Sequence, residues 1–586
     1  MSQRRGVFIV LIVIGTACLI SIGGLVALYL AVGRGPSVPD RGLLVLRIGG
    51  SLSEEGGSGV AGFLPQSATR SVRGLVGLLQ KAKVDPRIRA VLLEPYGLDT
   101  PYWGQTQEIR DAILDFRRSG KPIVAYLQDP GAHEYDLATA CDRIYMIPSS
   151  SLDLTGIATY ELFLRGTLDK IGAYPDYYHI GDYKTAINTY TQKTFTPAHR
   201  EMDESLDNDL YGQLIDAIAQ GRHLRPADVR TLLDEGPFLP DEALRAGLID
   251  DLSYEDQVEQ TLGQAGRELT PIDGTTYARV SASSLGLDRG PRIAVIYVDG
   301  AIVTGSSGYD PSEGAVVGSD TLIKYIREAR RDPSVRAIVL RIDSPGGSAT
   351  ASDAIWHALE VTRAERADRP LIASMSDLAA SGGYYIAMPA QAIVAQPGTL
   401  TGSIGIYGGK MVTGGTFAKL GASLDAVSVG RNAQMNSPVA PYTPDQRAKL
   451  QQELQAFYDQ FVEKAAAARH MTPEQIDAIG QGRVWTGRQA KANGLVDDLG
   501  GLDRAIAIAK QRAKIPAARQ VQIVVYPPRR SLYDLLTRQF EGGADQALLS
   551  TFFTRDERRA IGAVRAPLVL FKPGEPLALM PVTFLH

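Results

Sequence analysis

Cysteine, histidine and charge of one sign are what this 586-residue chain has little of. Its two cysteines, Cys18 and Cys141, cannot form a disulfide framework or a four-ligand zinc site, and Cys18 lies in an apolar segment away from Cys141. Redox and structural-metal functions drop out, and no cofactor is expected. The 61 Lys and Arg against 65 Asp and Glu leave a net charge of −4 with no long block of either sign, so nothing resembles an electrostatic footprint for nucleic acid. Disorder is excluded by 44% hydrophobic with 22% charged residues, which is the composition of a folded chain. At roughly 150 residues per domain the length implies two or more domains.

Charge is missing altogether from residues 6–33, which follow Arg4 and Arg5. At about 1.5 Å per residue this run exceeds the ~30 Å hydrocarbon core, whereas the apolar part of a cleaved leader is usually about 7 to 15 residues. The expectation is a retained membrane span. Arg34 and Arg41 offset Arg4 and Arg5 in the positive-inside count. With no second apolar run of membrane length, the reading is an inside N-terminus and an outside body. Cys18 follows the small residues Gly15, Thr16 and Ala17, as in a lipid-attachment site, but is read as a plain residue of the span.

The rest of the chain repeats itself. Asp85-Pro-Arg-Ile-Arg-Ala-Val-Leu-Leu93 returns as Asp332-Pro-Ser-Val-Arg-Ala-Ile-Val-Leu340, Lys121-Pro-Ile-Val-Ala125 as Arg369-Pro-Leu-Ile-Ala373, and Gly247-Leu-Ile-Asp-Asp-Leu252 as Gly494-Leu-Val-Asp-Asp-Leu499. Three matches in order, at offsets of 247 or 248, define a duplicated domain. The organisation expected is a span at 6–33, a first repeat at 40–255, a linker at 256–289, a second repeat at 290–512, and an appendage of unknown role at 513–586. Within each repeat, short β-rich runs (90–93, 123–127, 337–342, 371–375) alternate with segments of helical period such as 322–329 and 354–362. A long helical stretch, 444–469, closes the second repeat. That alternation predicts an α/β fold, a mostly parallel sheet covered by helices, with chemistry on the loops at one edge.

The second repeat carries Asp343-Ser-Pro-Gly-Gly-Ser348 directly after a strand. Its glycines let backbone N–H groups approach a ligand closely, which suits an oxyanion or a phosphate, although a tight turn needs no function. Next comes Met375-Ser-Asp-Leu-Ala-Ala-Ser-Gly-Gly-Tyr384, which places Ser381 on a strand-to-helix turn with the N–H of Gly382 beside it as a second oxyanion donor. Taken alone, Ser381 is also readable as a small buried residue. Thr399-Leu-Thr-Gly-Ser-Ile-Gly405 adds hydroxyls in a glycine-rich turn.

A serine hydroxyl needs a base to become a nucleophile. Of the seven histidines, His357 and His470 sit on helical segments of the second repeat, and none carries a triad motif. The other candidate is Lys184 in Gly181-Asp-Tyr-Lys-Thr-Ala-Ile187, between Tyr183 and small or apolar neighbours, as suits a lysine kept from water; the plain alternative is an exposed surface lysine. Aligning the repeats puts His133 opposite Ser381 and Ala433 opposite Lys184, and Glu94-Pro-Tyr-Gly97 opposite the glycine loop. The first repeat lacks nucleophile and oxyanion loop; the second lacks the base. Two half-sites would complete each other at a domain interface.

Ile342-Asp-Ser-Pro-Gly-Gly-Ser-Ala, Ala379-Ala-Ser-Gly-Gly-Tyr-Tyr, Leu400-Thr-Gly-Ser-Ile-Gly and Gly181-Asp-Tyr-Lys-Thr-Ala together resemble the long, duplicated form of the bacterial signal peptide peptidase A (protease IV) family. The resemblance covers about residues 40–510; residues beyond it match nothing, and Asp182 is a modest departure. It implies the fold shared by Clp protease and crotonase. It also implies a Ser/Lys dyad with Ser381 as nucleophile and Lys184 as general base, Ser403 orienting the lysine, and an oxyanion hole from Gly347 and Gly382. It further implies a homotetramer anchored in the bacterial inner membrane, its body on the extracytoplasmic side, that degrades remnant signal peptides. Two rivals remain: a crotonase-type acyl-CoA enzyme, and a non-catalytic membrane scaffold of the same fold.

Overall fold

The computed structural model describes Gly23 and residues 36–55, 69–263, 268–310, 314–528, 570–580 and 584–585. The expected span at 6–33 and Cys18 lie outside them, Gly23 apart. Among the described residues no helix is long and apolar enough to cross a membrane.

Each repeat builds a parallel sheet, and the two sheets share one strand order. In the first it runs Asp251–Leu252, Arg143–Met146, Ile123–Leu127, Ile88–Leu98, Gly42–Gly50, Thr270–Asp273. In the second, Asp498–Leu499, Ala392–Ala395, Leu371–Ala380, Val335–Ser344, Arg292–Asp299 and Gln522–Tyr526 follow the same sequence, and Leu400–Gly402 and Val484–Thr486 pair on past the end of Leu371–Ala380. Runs such as Leu43 to Leu46 and Val339 to Ile342 are buried on both faces because helices cover both sides, which is why they are continuous rather than alternating.

The duplication extends to single hydrogen bonds. Helix Pro197–Arg222 and helix Pro444–Arg469 both start on a threonine N-cap followed by proline, and both end at a histidine in the left-handed region, His223 and His470. Arg222 pairs with Asp250, and Arg469 with Asp497; the two aspartates accept from Ile144 N and Ile393 N. Lys121 Nζ donates to the carbonyls of Ala82, in the last turn of helix Val72–Val84, and of its C-cap Asp85, and Arg369 does the same for Arg330 and Asp332 at the end of helix Ser319–Arg331. A cation satisfying the last carbonyls of a helix is the physical reason this position stays basic in both copies.

The boundaries expected at 255 and 512 fall inside this architecture. The segment taken as a linker holds helix Glu255–Leu262 and the edge strand Thr270–Asp273. The segment taken as an appendage supplies the equivalent edge strand Gln522–Tyr526. In each case a strand beyond the repeat signal covers an otherwise open sheet edge.

A third sheet joins the repeats. Its order is Gly308–Asp310, Gly314–Gly318, Ala301–Val303, Gly346–Ser348, Leu577–Leu579, Ile406–Val412, Tyr174–Ile180. Only the last strand comes from the first repeat, pairing antiparallel with Ile406–Val412 from Ile406↔Ile180 to Val412↔Tyr174. It delivers the loop that carries Lys184.

Candidate active site

Strand Leu371–Ala380 ends at Ser381, which takes φ 54° and ψ −111° before helix Gly382–Ala387 begins. A non-glycine residue there is strained, and the strain turns the side chain out of the strand-to-helix corner. Two backbone bonds hold it: Ser381 N donates to Gly402 O at 2.8 Å, and Tyr385 N donates to Ser381 O at 2.8 Å.

Lys184 follows the turn after Tyr174–Ile180. Its backbone lies on Gln481 and Gly482, with Tyr183 N donating to Gln481 O at 2.9 Å. Gly482 has φ +80°, and a Cβ there would come 2.5 Å from Lys184 N, so only glycine admits the lysine's main chain. The side chain reaches across the repeat interface: Nζ donates to Ser381 Oγ at 2.8 Å, Ser403 Oγ at 2.9 Å and Ser403 O at 3.1 Å. Lys184, Ser381 and Ser403 are all 0% exposed. Burial holds the Lys184 amine well below the usual lysine range. Such an amine is neutral at a pH where a surface lysine is charged, and can take a proton from the hydroxyl beside it.

The glycine loop lies opposite. Gly347, at φ +154°, sits so close to Ile302 that a Cβ would meet its carbonyl oxygen at 2.0 Å; a Cβ on Gly382 would lie 3.1 Å from Gly347 N. The N–H groups of Gly347 and Gly382 therefore border one small space beside Ser381.

The structure brings together every residue singled out as a site member: Ser381, Lys184, Ser403, Gly347 and Gly382. It leaves His357 on helix Ala349–Glu365 and His470 at a helix terminus, neither bonded to Ser381 among the described residues. One repeat equivalence is corrected. Tyr135 OH donates to Leu248 O as Tyr384 OH donates to Leu495 O, so Tyr135 matches Tyr384 and the residue opposite Ser381 is Ala132, not His133. The one-residue difference arises because the insertion between the copies falls before this helix rather than after it. The first repeat still offers no nucleophile, and strand Ile88–Leu98 runs straight through Glu94 to pair Tyr96 with Gly49 where the second repeat turns into its glycine loop.

Two features escaped the sequence reading. Arg341, 1% exposed in the middle of strand Val335–Ser344, donates to Glu54 and Glu108 of the first repeat at 2.5 and 2.7 Å. Beside it Asp343 accepts from Leu378 N, and Asp377 from Gln105 N. Burial pushes the Asp377 carboxyl up to about 7, and burial with repulsion from Asp377 holds Asp343 well above the carboxylate range. This buried polar seam fixes the two repeats and the strand leading to Ser381; an arginine inside an apolar strand was its signal. The second feature is strand Leu577–Leu579, which pairs with the glycine loop itself.

A duplicated α/β protein with a buried serine–amine pair facing two converging backbone N–H groups has the machinery of a serine protease. The model of peptidase family S49 matches residues 115–269 and 363–516, once in each repeat. The chain is 37% identical to the chloroplastic serine protease SPPA of Arabidopsis thaliana over 78% of its own length and 68% of that protein. It is 35% identical to protease 4 of Salmonella typhi over 80% of its own length and 76% of that protein. The solved structure of the membrane-bound stomatin-specific protease 1510-N overlaps 41% of this chain and 99% of its own, at 17% identity and a TM-score of 0.25. The chain belongs to peptidase family S49 and is a serine protease.

Proposed function

We propose that the chain is an endopeptidase of the fold shared by Clp protease and crotonase, working through a Ser381/Lys184 dyad on remnant signal peptides. The observation that carries this reading is the 2.8 Å contact from a fully buried Lys184 Nζ to Ser381 Oγ. Neutral Lys184 takes the proton of Ser381 as Oγ attacks the substrate's carbonyl carbon. The oxygen then carries the charge between the N–H groups of Gly347 and Gly382. Lys184 passes the proton to the leaving amine, and a water repeats the cycle on the acyl-serine. Ser403, bonded to the amine through Oγ and O, holds the lysine in line.

The anchor of this reading is residues 6–33, in the bacterial inner membrane, with the body on the extracytoplasmic side. Homotetramer formation is supported by the counterpart of Tyr174–Ile180 in the second repeat. Residues 423–429 pair with no strand among the described residues and expose Leu424, Val427 and Val429, which suits an edge of the next copy. A serine-directed covalent probe followed by peptide mapping tests the dyad. Label at Ser381 that is lost in Lys184→Ala is expected; label elsewhere overturns the assignment.

A further inference from the structure

Three side chains of metal-ligating type converge away from the dyad. His199 and Asp203 stand one turn apart on helix Pro197–Arg222, and Glu161 directly follows strand Thr159–Tyr160. One ligand atom from each, an imidazole nitrogen and two carboxylate oxygens, lies within 4.8 Å of the other two. His199 is 1% and Asp203 7% exposed, and among the described residues neither His199 Nε2 nor Asp203 Oδ2 has a hydrogen-bond partner. Buried polar atoms are normally satisfied, so this pair calls for a group between them. The two atoms are 3.5 Å apart. That is long for a hydrogen bond and close to the ~3.3–3.4 Å between two ligands of one tetrahedral ion at ~2.0–2.1 Å.

An ion pair does not account for the arrangement. Burial holds the His199 imidazole down at about 4, so it is neutral, and burial with repulsion from Asp207 pushes the Asp203 carboxyl up to about 7. Arg200, the basic neighbour, sets its guanidinium over the Phe195 ring and beside Glu204. A divalent ion held by two carboxylates and a neutral imidazole carries no net charge, which is the condition for burying it. Phe163 and Phe195 pack edge-on to the His199 ring at 6.1 and 4.9 Å, an apolar wall of the kind that strengthens ligation. Ligation through Nε2 leaves the proton on Nδ1, which lies 3.4 Å from the Asn188 amide. A half-turn of that amide presents its oxygen, the outer acceptor that a ligating histidine uses.

The cluster sits behind the catalytic lysine. Asn188 opens the short helix Asn188–Thr191, which follows Lys184 by way of the 3₁₀ turn Thr185–Ile187. Met202 and Leu206, on the same helix as the two buried ligands, pack with Ala380, Leu400 and Val484 beside Ser381. We propose that Glu161, His199 and Asp203 hold one divalent transition-metal ion of the zinc class, and that the ion braces the segment after Lys184 against helix Pro197–Arg222. The shortage of cysteine excludes a thiolate site, not one of imidazole and carboxylates, and imidazole favours such an ion over magnesium or calcium. The ion takes no part in proton transfer between Ser381 and Lys184, and the proposal stands apart from the dyad reading.

The test uses the full-length chain in detergent, stripped with a chelator and then dialysed against zinc. Elemental analysis of wild type should find one zinc per chain, and its unfolding temperature should rise with zinc concentration. His199→Gln and Asp203→Asn, both close in shape to the native side chains, should each weaken binding by more than the roughly 10–100-fold that losing an outer-shell partner costs. Cobalt in place of zinc should give wild type the strong visible absorption of a low-coordinate site, and the variants only the weak colour of a hydrated ion. Amide hydrogen exchange across 185–191 should slow when zinc binds to wild type. Wild type that retains no zinc and unfolds at the same temperature with and without it overturns the site, with no variant needed. Equal retention by wild type and both variants also overturns it, since the ion would then sit elsewhere. Zinc bound at these residues with unchanged exchange across 185–191 overturns the bracing role.

Discussion

Lys184 Nζ lies 2.8 Å from Ser381 Oγ although the two residues belong to different copies of a duplicated domain. Each copy has lost what the other keeps. Antiparallel pairing of Tyr174–Ile180 with Ile406–Val412 carries the lysine of one copy to the serine of the other within a single chain. The site is therefore a product of the repeat interface, and conditions that loosen the interface should silence the chemistry before either sheet unfolds.

The pH dependence of turnover follows from the burial of Lys184. Burial penalises the ammonium, so the folded-state value lies below the ordinary lysine value, and the neutral, proton-accepting form prevails above it. Peptide turnover should rise with pH through that depressed value and then level off, and Lys184→Ala should abolish it. Replacing His357 or His470 should leave turnover intact. A plateau set near pH ~6.5 that vanishes with either histidine would favour a histidine base instead. Stability is linked with the same sign. The unfolded chain takes up a proton that the folded one refuses, so stability falls as pH drops from the ordinary lysine value toward the depressed one. Unfolding temperatures across the alkaline range should lose this arm in Lys184→Met.

Gly347→Ala should lower kcat by about 10²–10³, the usual effect of losing one oxyanion donor. The cause is steric: at φ +154° the new Cβ would lie 2.0 Å from Ile302 O, so the strand must shift and its N–H loses aim. Steady-state kinetics on a soluble peptide measure this. Unchanged kcat would remove Gly347 from the site.

The repeat, the α/β alternation and the site residues were legible because each leaves a local mark: short identical strings, apolar runs, glycines beside a serine after a strand. Lys184 was harder, since its burial depends on Gln481 and Gly482, nearly 300 positions away in the chain. The edge strands Thr270–Asp273 and Gln522–Tyr526 were missed because they share no string, only a place in the sheet. Leu577–Leu579 was missed because its role comes wholly from pairing with Gly346–Ser348, which no local pattern announces.

Arg341→Leu should destabilise the chain by roughly 3–5 kcal/mol, the cost of leaving buried carboxylates without their counter-charge. Glu54 and Glu108 both accept from this guanidinium, which is 1% exposed, and a leucine in its place offers neither carboxylate a donor. Denaturant unfolding gives the number. A loss within about 0.5 kcal/mol, as for a surface substitution, would mean the seam contributes little.

Removing residues 1–33 should leave turnover of a small soluble peptide unchanged, because Ser381, Lys184, Ser403, Gly347 and Gly382 are all held by bonds among residues after 40. Degradation of peptides embedded in a bilayer should fall, since the proposed anchor no longer holds the site at the membrane. A folded deletion variant that is inactive on the soluble peptide would tie residues 1–33 to the chemistry.

Restoring the missing side chains to the degenerate pairing should not create a second site. Ala132 matches Ser381, and Ala433 matches Lys184, so the test is Ala132→Ser with Ala433→Lys in a Ser381→Ala chain. Two structural facts oppose activity. Strand Ile88–Leu98 stays paired with Gly42–Gly50 past Glu94, so no glycine pair turns its N–H groups toward position 132, and a missing oxyanion hole is worth about 3–4 kcal/mol of barrier. Residue 433 lies on an exposed stretch, where a lysine keeps its ordinary value and stays charged, unlike the buried Lys184. A serine-directed probe should therefore label wild type once per chain, at Ser381, and leave the triple variant unlabelled. Label at position 132 together with peptide turnover would show that the first repeat had kept a working oxyanion site after all.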